Sequence, residues 1–76
     1  LEPDAAEAHY YLGTVHYRMA SLFLKMDLMG KADAGFEKAA QSLQTVLRLQ
    51  PTNHAAREML WDIQKKWEKI SANMQD

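Results

Sequence analysis

Apolar residues recur along most of this chain at alternating spacings of three and four, the period of one face of an α-helix. In the first third they are Ala8, Leu12, Val15, Met19, Leu22, Met26 and Met29, and a second stripe of Tyr10, Tyr17, Leu24 and Leu28 runs beside them. The pattern predicts a helix over about 4–29 that is apolar round a wide arc and so touches more than one neighbour. Gly13 inside it costs up to about 1 kcal/mol relative to alanine. A glycine there is expected to let another helix approach closely. Gly30 is placed to end this helix in the left-handed conformation. A second helix is expected over about 32–49, with Phe36, Ala39, Ala40, Leu43, Val46 and Leu47 on its buried side. A third is expected over about 53–74, with Ala56, Leu60, Ile63, Trp67, Ile70 and Met74.

Strand signals are missing: no alternating β-branched run and no Asn-Gly hairpin occurs. The two prolines sit in similar surroundings, Leu1-Glu2-Pro3-Asp4-Ala5-Ala6 and Leu49-Gln50-Pro51-Thr52-Asn53-His54-Ala55-Ala56. Each reads as a helix stop followed by the cap of the next helix. Asp4 and Glu7 have the spacing of a capping box, and Thr52 or Asn53 can accept the free N–H groups of the third helix. Long amphipathic helices joined by short loops imply antiparallel neighbours. The expected fold is all-α, three antiparallel helices round one core, in a single domain covering 1–76.

A chain of 76 residues buries only about 60% of its unfolded surface and gains little margin from its core alone. Without cysteine it has neither disulfides nor thiolate metal sites. His9, His16 and His54 are too scattered to suggest a metal site, and no cofactor motif is present. Ser21 and Thr14 have no base and acid at suitable spacing, and no phosphate-binding glycine loop occurs, so no enzymatic function is expected. A net charge of −1 gives no steering toward nucleic acid. No apolar run reaches the ~20 residues of a membrane span. Met19, Met26, Met29 and Met74 fall on the apolar stripes and are expected in the core, while Met59 stands at a stripe edge. Lys65, Lys66 and Lys69 around Trp67 invite comparison with a basic amphipathic helix, but Asp62 and Glu68 dilute the charge, which favours a solvated face.

Ala6-Glu7-Ala8-His9-Tyr10-Tyr11-Leu12-Gly13 resembles the opening of a tetratricopeptide repeat, with the Leu-Gly pair in place and His9 where an aromatic is usual. Ala39, Leu43, Val46, Leu47 and Pro51 are similar to that repeat's second helix and closing proline, with Leu43 in place of an aromatic and Val46 in place of an alanine. The resemblance covers about 1–60. It implies a helical hairpin closed by a capping helix, and a protein-interaction scaffold or adaptor in the cytoplasm. Such repeats run to about 34 residues, whereas 48 separate Pro3 from Pro51. The excess is two heptads, so each arm gains about two turns and keeps its buried face. A chain opening on Leu1-Glu2-Pro3 is expected to be cut from the C-terminal end of a longer repeat array.

Position by position, the resemblance places Glu7, Tyr10, Thr14, Tyr17 and Arg18 of the first helix, with Glu58, Asp62 and Lys65 of the third, in a partner-binding groove. The expected partner is another protein or peptide. The lysine and asparagines that hold chaperone tails in some such repeats have no counterpart, since Tyr10 and Thr14 stand at those first-helix positions. Two other readings fit the same pattern. The three-four spacing is also coiled-coil spacing, which permits self-association through exposed stripes. A free-standing three-helix trafficking adaptor has similar size.

Overall fold

The computed structural model describes residues 5–74, the side chains of 73 and 74 excepted. It is all-α: helices α1 (Ala6–Lys25), α2 (Met29–Leu49) and α3 (His54–Met74), with no strand among the described residues. Pro3, the cap expected of Asp4, and the side chain of Met74 lie outside that range.

The central element is α2. Ala32, Phe36, Ala39, Ala40, Leu43 and Val46 are all buried on it, which is the expected stripe extended by one turn at its start. Ala56, Ile63 and Ile70 of α3 complete the core, with Leu60, Met59 and Trp67 partly buried against it. The three helices make a slab with extents of 43 × 21 × 13 Å. Helix α1 runs antiparallel to α2, since Gly13 meets Leu43 while Ala20 meets Gly35 further along. A Cβ on Gly13 would lie 2.9 Å from Leu43 Cγ, so the expected close approach is present. A Cβ on Gly35 would lie 2.8 Å from Ala20 Cβ, a second close crossing on the same interface.

These crossings decide which face of α1 is buried: it follows the second stripe, Tyr10, Tyr17 and Leu24, and not the first. The seam against α2 is Ala6, Tyr10, Gly13, Tyr17, Ala20 and Leu24, of which Gly13 and Ala20 are fully covered. Leu12, Met19, Leu22 and Met26 stay exposed, as does Ala8, and Val15 is only half-buried. Small residues win the interface because they let two backbones approach closely. The larger residues then fall on the opposite side. Met19 and Met26 are therefore surface residues, while Met29 and Met59 pack against the core.

The α1–α2 turn also differs. Helix α1 stops at Lys25, and the left-handed residue is Asp27, with φ 65°, instead of Gly30. The Leu28 N–H donates to Phe23 O at 2.9 Å and the Asp27 N–H to Leu24 O at 3.1 Å. These two bonds are the Schellman closure of a helix end, with Asp27 in the place usually taken by glycine. Aspartate is among the few other residues that tolerate this conformation. Gly30 then joins the first turn of α2 with ordinary helical dihedrals. At the second connection Asn53 is the cap: its Oδ1 accepts the Ala56 N–H at 3.0 Å.

Candidate interaction surface

Glu7, Tyr11, Thr14 and Arg18 follow one another at spacings of four, three and four, so they form a row along one flank of α1. The row borders a concavity of about 580 Å³ lined by Ala6, Glu7, Tyr10, Tyr11, Thr14, Val15, Arg18, Gln50 and Asn53. The far rim is preorganised. Asn53 is held by its capping bond and donates through Nδ2 to Gln50 Oε1 at 3.0 Å. Thr14 Oγ1 donates to Tyr10 O at 2.9 Å, which ties its side chain to α1. Glu7 and Arg18 are eleven residues apart, about 16 Å along the helix axis. At that spacing they do not neutralise one another, and the pocket carries opposite charges at its two ends with tyrosine rings between. Such a surface suits an extended or helical peptide with a complementary charge pair, because tyrosine and arginine combine apolar area with directional hydrogen bonds.

Tyr17 lies elsewhere. Its hydroxyl donates to Asp62 Oδ2, tying α1 to α3. Lys66 Nζ donates to the same oxygen at 2.9 Å and stands 5.7 Å from the Tyr17 ring centroid. Burial, then the bond to Asp62, raises the Tyr17 phenol above its usual range. The hydrogen bonds from Tyr17 and from Lys66 hold the Asp62 carboxyl below its usual range. The bond to Asp62 raises the Lys66 ammonium. All three shifts favour the neutral phenol, the carboxylate and the ammonium, the forms in which the cluster links the two helices.

The eight residues expected in one groove thus separate into three places. Glu7, Tyr10, Thr14 and Arg18 line the concavity. Tyr17 and Asp62 form the α1–α3 link. Glu58 and Lys65 are exposed on α3, where Lys65 Nζ sits 3.8 Å over the Trp61 ring. Sequence reasoning missed Gln50, Asn53 and Tyr11 as lining residues, and Lys66 as the third member of the link. For Lys66 a signal existed, since Asp62 and Lys66 have the i,i+4 spacing of a helical ion pair.

Among the described residues no helix is long and apolar enough to cross a membrane. The chain matches no protein-family model, no curated protein and no solved structure.

Proposed function

We propose that the protein is a protein-binding module, a helical scaffold or adaptor of tetratricopeptide type acting in the cytoplasm, with no catalysis of its own. The concavity beside α1 carries this reading, since four of the expected groove residues line it together and its rim is fixed by hydrogen bonds. Two further features support it: Gly13 of the Leu-Gly pair is buried against Leu43, with Leu12 left exposed, and Pro51 with Asn53 closes one helix and caps the next.

Quantitative affinity capture from cell extract, comparing the wild type with a Glu7→Arg, Thr14→Lys double variant, tests it. The longer side chains would fill the pocket without touching the core. Specific partners are expected to be lost at unchanged helical circular dichroism. An unchanged set of partners would rule out the concavity as the binding surface. Sedimentation equilibrium is expected to return a monomer, and a dimer abolished by the double variant would turn the reading to self-association.

A further inference from the structure

The side of α1 turned away from α2 is exposed and apolar. Among the described residues eight large apolar side chains remain exposed, and four of them belong to this one helix, Tyr11 (69%), Leu12 (46%), Met19 (50%) and Leu22 (57%), with Met26 (58%) directly after its end. From Tyr11 to Met26 the stripe runs for about four turns, roughly 22 Å at 1.5 Å per residue. Toward its far end it opens into a notch of about 250 Å³ between α1 and α2, floored by Met19, Phe23, Ala34 and Gly35. Gly35 contributes no side chain to it, so the notch has room for one bulky apolar group.

The charge round this stripe has one sign. Between Glu7 and Asp27 the first helix has no acidic residue, while Arg18 and Lys25 are both exposed on it. The notch is edged by Lys31 and Lys38 of α2 and by His16. Four full cations therefore flank an apolar strip in a chain whose net charge is −1.

We propose that this face docks an acidic amphipathic helix of another protein, its apolar stripe on Met19 and Leu22, one large side chain in the notch, and carboxylates along both flanks. The inference rests on the reading of the chain as a protein-binding module and names the chemistry of a second partner surface. A helix matches the strip because three-four spacing is the geometry by which one helix packs on another. Carboxylates match the rim because complementary charge governs orientation and rejects wrong partners. A second copy using the same face would bring Arg18, Lys25, Lys31 and Lys38 against their own counterparts, and like charges across an interface oppose pairing. A lipid surface has no protruding group to seat in the notch.

The test is fluorescence anisotropy of the full chain with a labelled synthetic helix of about 20 residues, leucine and phenylalanine at i, i+3, i+4 and i+7 and glutamate on both flanks. A matched peptide carries lysine in place of glutamate. The glutamate peptide is expected to bind, the lysine peptide not to, and binding is expected to weaken as salt rises. Lys31→Glu with Lys38→Glu, and separately Leu22→Ser, are each expected to weaken it about tenfold or more, whereas Glu7→Arg with Thr14→Lys, which adds positive charge, does not weaken it. Glu7, Leu22, Lys31 and Lys38 are exposed and Thr14 is half-buried, and an unaltered thermal midpoint confirms that the variants fold. Equal binding of both peptides, or of neither, overturns the proposal. Tighter binding to phosphatidylserine vesicles than to the glutamate peptide, or a dimer dissolved by Leu22→Ser, overturns it too. If the peptides fail while the filled pocket still loses its partners, this docking falls and the interaction module stands.

Discussion

On α1, the side turned to α2 carries Ala6, Gly13 and Ala20 with two tyrosines between them, while the opposite side carries Tyr11, Leu12, Met19 and Leu22 and runs on into Met26 just past its end. Both sides repeat at three-four spacing, and the outer one is the more hydrophobic by residue type. The inner one is buried because distance, and not transfer energy alone, sets helix packing. Interior atoms are close-packed, so a crossing built on glycine and alanine gains dispersion contacts along two backbones that a crossing of leucines cannot reach. On α2 and α3 the buried stripes hold Phe36, Leu43, Ile63 and Ile70. There the large residues lie at the centre of the slab, where side chains from more than one element fill the space.

The largest effect is expected where a methyl group is added at the inner crossing, and the smallest where a side chain is shortened on the outer face. Gly35→Ala places a Cβ 2.8 Å from Ala20 Cβ and 3.3 Å from Ala20 Cα. Backbone cannot rotate aside, so the helices must separate. Overpacking of this kind costs about 3 kcal/mol, of which the better helix propensity of alanine offsets about 1. Urea denaturation is expected to show a net loss of about 2 kcal/mol. Gly13→Ala should lose less, because the atoms it meets belong to the rotatable Leu43 side chain. On the outer face Leu22→Ala is expected to fall within about 0.5 kcal/mol of wild type, as exposed substitutions do. A Leu22→Ala loss equal to that of Gly35→Ala would show that the outer face is covered in solution.

The same contrast explains what could be read from the sequence. For α2 and α3 the stripes read at helical spacing, alanines and large residues together, are the ones that pack on the core among the described residues, so pattern and packing agree. For α1 two stripes compete: the first selects Leu12, Met19, Leu22 and Met26, while the second holds Tyr10, Tyr17 and Leu24, and only Ala20 of the inner Gly13-Tyr17-Ala20 series goes unmarked. That series was visible as spacing but carries little hydrophobic weight. Asp27 was hidden for a different reason. Glycine is the commonest left-handed residue at a helix end, and the nearby Gly30 drew the boundary past the true closure. Glu7, Tyr10, Thr14 and Arg18 could be grouped because one helix carries them all. Gln50 and Asn53 reach the same pocket from the α2–α3 connection, and only the antiparallel return of the chain brings them there.

Where the inner side of α1 reaches α3, the contact is polar, and a second substitution sharpens its weight against the glycine crossings. Tyr17→Phe keeps the ring near Phe36, 5.9 Å between centroids, and removes only the bond to Asp62. A hydrogen bond to a charged acceptor contributes up to about 3 kcal/mol. With 41% of the Asp62 side chain exposed, solvent screening reduces this to about 1. The loss should depend on pH. Asp62 has a folded pKa below 3.8, so its contribution is present above that value and is lost as pH falls through the folded pKa. Tyr17 and Lys66 are raised above 10.0 and 10.5, so theirs is present below those values and disappears as pH rises through the folded ones. The stability difference between wild type and Tyr17→Phe is therefore expected to be flat from about pH 5 to about pH 9 and to shrink on either side. Thermal melts across that range check it, and a difference that stayed constant down to about pH 2 would mean that Asp62 is not the acceptor.

A small effect of the opposite sign is expected at the turn that ends the α1 seam. Asp27 takes a φ of 65°, which an L residue adopts at some cost and glycine adopts freely. Asp27→Gly relieves that cost while adding freedom to the unfolded chain, so the two changes partly cancel. It also removes a carboxylate that lies between the C-terminus of α1, where negative charge is unfavourable, and the N-terminus of α2, where it is favourable, so the charge effects partly cancel. The net gain should be about 0.5 kcal/mol, seen as a rise in thermal midpoint. Asp27→Ala is the discriminating partner. It loses the same charge but keeps a Cβ, and alanine lacks the local hydrogen bonding that helps aspartate occupy this conformation. It should therefore be less stable than wild type. If glycine and alanine stabilised equally, charge would account for the effect, and the Schellman closure at Asp27 would not be what ends α1 and starts the return of α2 along its small-residue side.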